Sequence, residues 1–174
     1  MKKMSGFTIV ELVVVIIILG ILAATALPRF IDVSSDAHRA SADAVQGGLE
    51  SGIAMVQAKW MASGKPTAGV SMADGSTIFT NTSGYASVGD AVIDAAECDD
   101  LFIALLQNAP AIQAAVVANE AGAVTAYNAD TTVDWYHLDG GTGDCTFFYA
   151  ASGVTSSLPT IVYDHSAGTI TRSN

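Results

Sequence analysis

Basic side chains are scarce in this sequence. It contains 7 Lys and Arg against 17 Asp and Glu, which gives a formal net charge of −10 at pH 7. Lys2 and Lys3 stand before the first apolar run, so the rest of the chain is more acidic still. Because phosphate backbones are bound by clustered Lys and Arg, the composition argues against nonspecific nucleic-acid binding through the surface as a whole. We expect no nucleic-acid partner, although a local basic patch would escape this argument.

Enzyme motifs are absent as well. The sequence has no GxSxG nucleophile elbow, no GxxxxGK[ST] phosphate loop and no HExxH zinc motif. His38, His137 and His165 are scattered along the chain, which predicts surface or packing roles for them. Aromatic residues, at 7%, are dispersed and form no stacking platform for single-stranded nucleic acid. We therefore expect no enzymatic activity, no cofactor and no metal site.

Cysteine is rare: Cys98 and Cys145 lie 47 positions apart, without a CxxC pair. Neither has Cys or His neighbours at zinc-ligand spacing. In a reducing cytosol they would be two unrelated buried thiols, whereas in an exported protein a disulfide is favoured. A disulfide that closes a loop of this length would contribute about 4 kcal/mol in the chain-entropy treatment.

An apolar run occupies residues 7–27, and its only charged residue is Glu11. As a helix, the run would extend about 31 Å at 1.5 Å per residue, which matches a bilayer core. One interpretation is a signal peptide that is cleaved after the small residues ATA at 24–26. A second is a plain transmembrane anchor with a cytoplasmic N-terminus. Neither explains Glu11, because acidic residues inside membrane spans are costly and are usually paired or functional.

A third interpretation places cleavage before the apolar run. The stretch GFTIVEL at residues 6–12 resembles the processing motif of type IV prepilins, and ILGILAATALPRF at 18–30 also matches that family. In this family a membrane peptidase cleaves after the Gly and N-methylates the Phe that follows. The Glu at the fifth mature position guides subunit docking. The resemblance implies that Gly6 and Phe7 flank the cut, that Phe7 is methylated and that Glu11 is the docking carboxylate.

Apolar periodicity continues beyond Pro28 and predicts an amphipathic helix that ends at SGKP, residues 63–66. Proline lacks a backbone N–H and crowds the preceding turn, so we expect a kink at Pro28. Resemblance to assembled pilins implies melting between Gly20 and Pro28. Three glycines in the helix interior indicate either close approach to another element or tolerated weakness. The predicted apolar stripe recurs at three- and four-residue steps: Phe30, Val33, Ala37, Ala40, Ala44, Val45, Leu49, Ile53, Val56 and Trp60.

The remainder of the chain predicts an α+β fold. Residues 67–96 have the composition of an irregular surface loop, with at most one short strand near 77–79. A short helix is predicted at 99–107, with acids in its first turn. Strands are predicted at 133–138, 145–150, 160–163 and 169–172. A long kinked helix packed on an antiparallel C-terminal sheet is also the pilin arrangement, in which a disulfide such as Cys98–Cys145 staples the C-terminal region.

The expected organisation has five segments: a leader peptide at 1–6, a transmembrane and assembly helix at 7–28, the amphipathic half of the helix at 29–62, a loop region with a short helix at 63–110, and the disulfide-bonded sheet at 111–174. Within the type IV pilins, the closest resemblance is to the pilins of mannose-sensitive haemagglutinin pili. It rests on LPRFIDVSSDAHRAS, ECDDLFIALLQNAP, and WYHLDGG followed by CTFFYAAS.

This resemblance implies the major subunit of a helical homopolymer that serves attachment and biofilm formation. Its expected partners are the prepilin peptidase and methyltransferase, the pilus assembly machinery, host or abiotic surfaces, and a phage that uses the pilus as its receptor. The chain would reside in the inner membrane of a Gram-negative bacterium before it joins the extracellular pilus. The alternatives are a minor pilin or type II secretion pseudopilin, and a membrane-anchored periplasmic binding module.

Overall fold

The computed structural model describes residues 7–67, 69–72, 75, 77–87, 98–113, 117–139, 144–151 and 157–173. The expected leader, including Gly6, lies outside these residues, and so do the side chains of Phe30 and Val33. The chain divides into two compact units, Met1–His38 and Arg39–Asn174.

The helix α1 extends from Ile9 to Ala62 and contributes to both units. Its helical backbone is continuous through Gly20 and Pro28, so the kink expected there stays a prediction. Beyond Ala62 the chain reverses at Gly64, whose φ of 80° lies in the left-handed region that glycine adopts without strain. The sequence signal for the end of the helix therefore coincides with the observed end.

The buried face of α1 in the second unit differs in part from the predicted stripe. Ala40 and Ala44 were expected to be covered but are exposed, and so is Ala37 at the end of the first unit. Large side chains determine which face a helix buries, because an alanine gains little from burial. The residues of α1 that belong to the core are Ala42, Leu49, Ile53, Val56 and Trp60, with Val45 packed beside them.

Three short antiparallel strands follow α1, in the order β1 (Val70–Ser71), β2 (Thr77–Thr80) and β3 (Ala86–Ser87). Val70, Ile78 and Ala86 are buried. The short strand expected near 77–79 is observed as β2, whereas β1 and β3 lie where only irregular loop was expected. Strands of two residues are too short for their alternation to stand out among Gly, Ser and Thr.

The helix α2 covers Cys98–Leu105 and buries Cys98, Leu101, Phe102 and Leu105. Cys98 forms a disulfide with Cys145, with a Cα–Cα distance of 5.7 Å. The predicted disulfide is therefore confirmed. It joins the first residue of α2 to the strand that begins at Cys145.

Two of the three glycines in the second half of α1 allow a close approach to the end of α2. A Cβ added at Gly52 would lie 2.6 Å from the Leu105 carbonyl oxygen, and one at Gly48 would lie 2.6 Å from Leu106 Cδ2. A Cβ at Gly47 would meet nothing within 4 Å. Close packing against backbone thus explains Gly52, whereas the neighbour at Gly48 is the end of a flexible side chain and the space around Gly47 is open.

A further helix, α3 (Glu120–Ala129), was not predicted. Its sequence EAGAVTAYNA contains a glycine and two β-branched residues, which lower helix propensity. The signal that was missed is Asn119, whose side chain caps the helix by accepting a hydrogen bond from the Gly122 N–H at 3.0 Å. The Asp130 N–H closes the other end by donating to the Ala126 carbonyl at 2.9 Å.

Four antiparallel strands form the large sheet in the order β4 (Trp135–Asp139), β5 (Cys145–Tyr149), β6 (Thr160–Asp164) and β7 (Thr169–Ser173). Their bounds lie within two residues of the predicted strands, because the runs of aromatic and β-branched residues and the turn between β6 and β7 are both visible in the sequence. The long apolar helix followed by this sheet confirms the expected α+β fold.

Both faces of the large sheet are covered. On one face, α1 and α2 pack against Trp135, Phe147 and Tyr149, and the Phe102 ring centroid lies 5.0 Å from that of Phe147 and 5.5 Å from that of Trp135. On the other face, α3 contributes Ala123 to a second cluster. The further buried members of that cluster are Val117, Tyr136, Phe148, Ala150 and Leu158.

Polar contacts join the small sheet and α1 to the large sheet. The buried Tyr163 hydroxyl donates to the Ala86 carbonyl at 2.8 Å, and burial raises the pKa of this tyrosine well above its usual value. Arg172 on β7 forms an ion pair with Asp43 on α1. These contacts hold β6 and β7 against the elements that precede the large sheet in the chain.

Candidate functional site at the start of the long helix

Thr8 and Glu11 form a capping box at the N-terminus of α1. The Thr8 N–H and hydroxyl donate to Glu11 Oε2 at 3.0 and 2.9 Å. In return, the Glu11 N–H donates to Thr8 Oγ1 at 3.3 Å. This reciprocal pair satisfies donors that a helix start otherwise leaves without partners. The signal was present in the sequence as T-x-x-E before an apolar run, but the role of Thr8 was missed.

The capping box holds the Glu11 carboxylate at the end of the helix rather than along its side. A negative charge is favourable there, because the helix dipole presents its positive end. Phe7, which immediately precedes the box, is 80% exposed. The arrangement therefore leaves both the carboxylate and the Phe7 segment accessible to another molecule.

Behind this cap, Ile9–Ala26 is long and apolar enough to cross a membrane, judged by length and composition alone. A signal sequence would meet the same criterion. Among the residues that the structure describes, the side chains from Ile9 to Thr25 are exposed. The Thr25 hydroxyl donates to the Leu22 carbonyl at 3.0 Å, which satisfies the hydroxyl inside the helix. Glu11 is the only charged residue of Ile9–Ala26.

The predicted site residues fall into two groups. Phe7 and Glu11 lie together at the start of α1, with Gly20 and Pro28 further along the same helix. Cys98 and Cys145 are joined in the second unit. Of the histidines, His137 is buried in β4, while His38 and His165 are half-buried.

Parts of the chain match known proteins. Residues 1–27 match the family described as the prokaryotic N-terminal methylation motif. The chain is 48% identical over 59 residues to the type IV narrow pilus major component PilA5 of Thermus thermophilus, covering 33% of this chain and 51% of that protein. It is 39% identical over 90 residues to a fimbrial protein of Moraxella nonliquefaciens, covering 51% of this chain and 56% of that protein.

Over the aligned residues the chain is similar to a type IV pilus component and to a fimbrial protein. The alignments span about half the length of the curated relatives that it matches. Both relatives are named as pilus or fimbrial components, and neither is named as an enzyme. The methylation motif agrees with the prepilin interpretation of the N-terminus, and the fold agrees with a pilin. No solved structure matches the chain.

Proposed function

We propose that this chain is the major structural subunit of a type IV pilus, of the mannose-sensitive haemagglutinin kind. The observation that carries the proposal is the capped carboxylate of Glu11 at the head of an apolar helix that the chain leaves uncovered. The methylation motif and the two pilus relatives support the family. The resemblance of several stretches to haemagglutinin pilins supports the subfamily.

In this proposal the chain is processed before it is assembled. A prepilin peptidase removes residues 1–6 by cutting between Gly6 and Phe7, and the new Phe7 amine is methylated. Residues 1–6 are thus the leader. The other four segments expected from the sequence are the assembly helix, the amphipathic half of the helix, the loop region and the C-terminal sheet of the mature chain. Flexibility between Gly20 and Pro28 belongs to the same proposal.

Assembly would transfer the apolar helix from lipid into a bundle of like helices, so its surface stays covered in both states. Glu11 would meet the methylated Phe7 amine of a neighbouring subunit. Inside an apolar bundle, the attraction between these charges is offset by the cost of removing both from water. We therefore assign the pair to the register of docking rather than to net stability.

The proposed location follows from this route. The subunit waits in the inner membrane of a Gram-negative bacterium, with its second unit in the periplasm, and then becomes part of an extracellular filament. The filament would mediate attachment to host or abiotic surfaces and early biofilm formation, and it would offer a docking surface to phage.

The test is to express Glu11→Val in cells that assemble the wild-type pilus. We expect a processed, membrane-held subunit with few or no filaments, measured by immunoblot of membrane and sheared surface fractions. Normal piliation would contradict the docking role.

Wild-type protein that is only a trace of the sheared material would indicate a minor pilin or pseudopilin. A protein that stays monomeric in detergent and never enters the sheared fraction would indicate an anchored binding module.

A further inference from the structure

Three potential metal ligands converge where β5 begins and β6 ends. The antiparallel register pairs Cys145 with Tyr163, so the residues beside them, Asp144 and Asp164, lie at the same end of the two strands. His165 follows Asp164 in the turn to β7. One ligand atom from each of Asp144, Asp164 and His165 lies within 4.8 Å of the other two. The sequence could not reveal this grouping, because strand register brings Asp144 to residues about twenty positions away.

Hydrogen bonds hold the turn that carries two of these residues. Asp164 Oδ1 accepts from the Ser166 hydroxyl at 2.6 Å, the Ser166 N–H at 2.8 Å and the Ala167 N–H at 3.0 Å. Because a carboxylate has two oxygens with about four lone-pair positions, the turn does not exhaust its capacity.

The backbone of His165 is fixed from the small sheet. The Asn81 side-chain amide donates to the His165 carbonyl at 2.6 Å. The imidazole in turn lies beside the second carboxylate, with His165 Nδ1 3.4 Å from Asp144 Oδ1. Both side chains are partly buried, with 15% and 29% of their surface exposed. The ligand atoms are thus partly preorganised and still open to an ion from solvent.

The charge balance of the cluster favours a cation. Two carboxylates and one imidazole give an excess of negative charge whether or not the imidazole is protonated. Two like charges this close disfavour each other, and a bound cation removes that cost. The acidic chain, with a net charge of −10, also raises the local concentration of cations.

We propose that Asp144, Asp164 and His165 bind a divalent transition-metal ion, for which Zn²⁺ is the best match. Imidazole nitrogen with carboxylate oxygen is a ligand set that Zn²⁺ uses, whereas Ca²⁺ and Mg²⁺ are bound through oxygen alone. Three protein ligands leave one tetrahedral position for water. Bonds of about 2.0–2.2 Å require ligand atoms about 3.4 Å apart, so side-chain movement of about 1 Å would close the cluster around the ion.

Such an ion would join the start of β5 to the turn between β6 and β7. Asp144 adjoins Cys145, so metal and disulfide would fasten neighbouring points of the same strand. The bound ion would be a reversible cross-link between β5 and the hairpin that β6 and β7 form. This inference does not depend on filament assembly.

The test uses untagged full-length protein in detergent micelles, stripped with EDTA, dialysed, and titrated with ZnCl₂ by calorimetry. We expect one Zn²⁺ per chain and at least a tenfold rise in Kd for both His165→Gln and Asp144→Asn. His165→Gln leaves the hydrogen bonds of the Asp164 turn unchanged, so it keeps the fold while it removes the imidazole. Co²⁺ titration adds a direct readout, because its visible spectrum reports coordination by nitrogen and oxygen ligands.

His38→Gln is the matched control, since it removes a histidine of α1 and leaves the three ligands intact. Its Kd for Zn²⁺ should equal that of the wild type. Three results would overturn the proposal: no Zn²⁺ uptake at a free metal concentration of about 100 μM, unchanged affinity in His165→Gln and Asp144→Asn, or displacement of Zn²⁺ by an equal concentration of Ca²⁺.

Discussion

The Glu11 carboxylate has one visible role in the single chain and a second role in the proposed filament. In the chain it closes a capping box with Thr8. In the proposed filament it guides docking through its charge. These roles can be separated, because a capping box accepts Gln as well as Glu, whereas docking to an amine requires the negative charge.

Glu11→Gln should therefore keep the helix start and lose most of the filaments. Thr8→Val is the matched variant, since it removes the cap hydroxyl and keeps the carboxylate. We expect it to assemble, with a loss of about 1 kcal/mol in helix stability. Piliation is measured by electron microscopy and by the sheared fraction. If Glu11→Gln cells have normal pili and Thr8→Val cells have none, assembly needs the cap and not the charge.

Asp130 gives a residue-scale prediction about pH. The hydroxyl of Thr132, at 2.6 Å, and its N–H, at 2.9 Å, lower the pKa of the Asp130 carboxyl. A carboxyl whose pKa is lower in the folded state stabilises the protein above its unfolded pKa of about 3.9, and this contribution is lost as the pH falls through the folded value. Asp130→Ala should thus be less stable than the wild type at pH 7.

The difference between Asp130→Ala and the wild type should shrink as the pH is lowered below about 4. Urea unfolding at pH 7 and at pH 3 measures it. Asn128→Ala, on the exposed end of α3, is the control, and its difference from the wild type should not follow this titration. If the difference in unfolding free energy between Asp130→Ala and the wild type is the same at pH 7 and at pH 3, the stabilising role assigned to the Asp130 carboxylate is wrong.

At the scale of elements, the contact between α1 and α2 explains Gly52, a glycine that weakens a helix. In Gly52→Ala the new methyl group would meet backbone atoms of Leu105, which cannot rotate away. We expect a loss of about 1–3 kcal/mol in the free energy of unfolding. Gly47→Ala is the control in the same helix, because its Cβ meets nothing within 4 Å.

Gly47→Ala should instead gain up to about 1 kcal/mol, through higher helix propensity. Both values come from urea unfolding followed by the fluorescence of the buried Trp60 and Trp135. Equal effects of the two substitutions would mean that propensity alone, rather than the approach of α2, determines their stability.

Elements differ in how far the sequence predicts them. The strands of the large sheet and the end of α1 have strong local signals: aromatic and β-branched runs, a tight turn between β6 and β7, and the SGKP stop. The capping box has a signal too, in the T-x-x-E spacing of residues 8–11 before the apolar run. The strands β1 and β3 have two residues each, which is too short for periodicity, and the local signal for α3 is limited to its Asn119 cap. The metal cluster depends on register, which no local pattern contains.

At the scale of the whole molecule, the disulfide should be the largest single stabilising link. It closes a loop with a sequence separation of 47, and chain-entropy arguments assign such a loop about 4 kcal/mol. The double variant Cys98→Ser/Cys145→Ser should lose roughly that amount in urea unfolding of the full-length protein in detergent. The reduced wild type should behave like the double variant. An unchanged unfolding midpoint in both would show that the packing around α2 needs no covalent link.

The proposed route of export and assembly explains the features that no single element accounts for. The uncovered apolar helix needs either lipid or other copies, the acidic second unit suits an aqueous surface, and a disulfide suits an oxidising compartment. The acidic unit and the disulfide fit any exported chain. The apolar helix has a role in the mature protein only if it remains on the chain, and it has none if a signal peptidase removes it.

The most direct test is therefore intact-mass and N-terminal peptide analysis of the protein sheared from cells. The account predicts a chain that begins at N-methylated Phe7 and contains linked Cys98 and Cys145. A mature chain that begins at Leu27, after ordinary signal-peptide cleavage, would contradict the account, because the helix that carries Glu11 would then be absent from the mature protein.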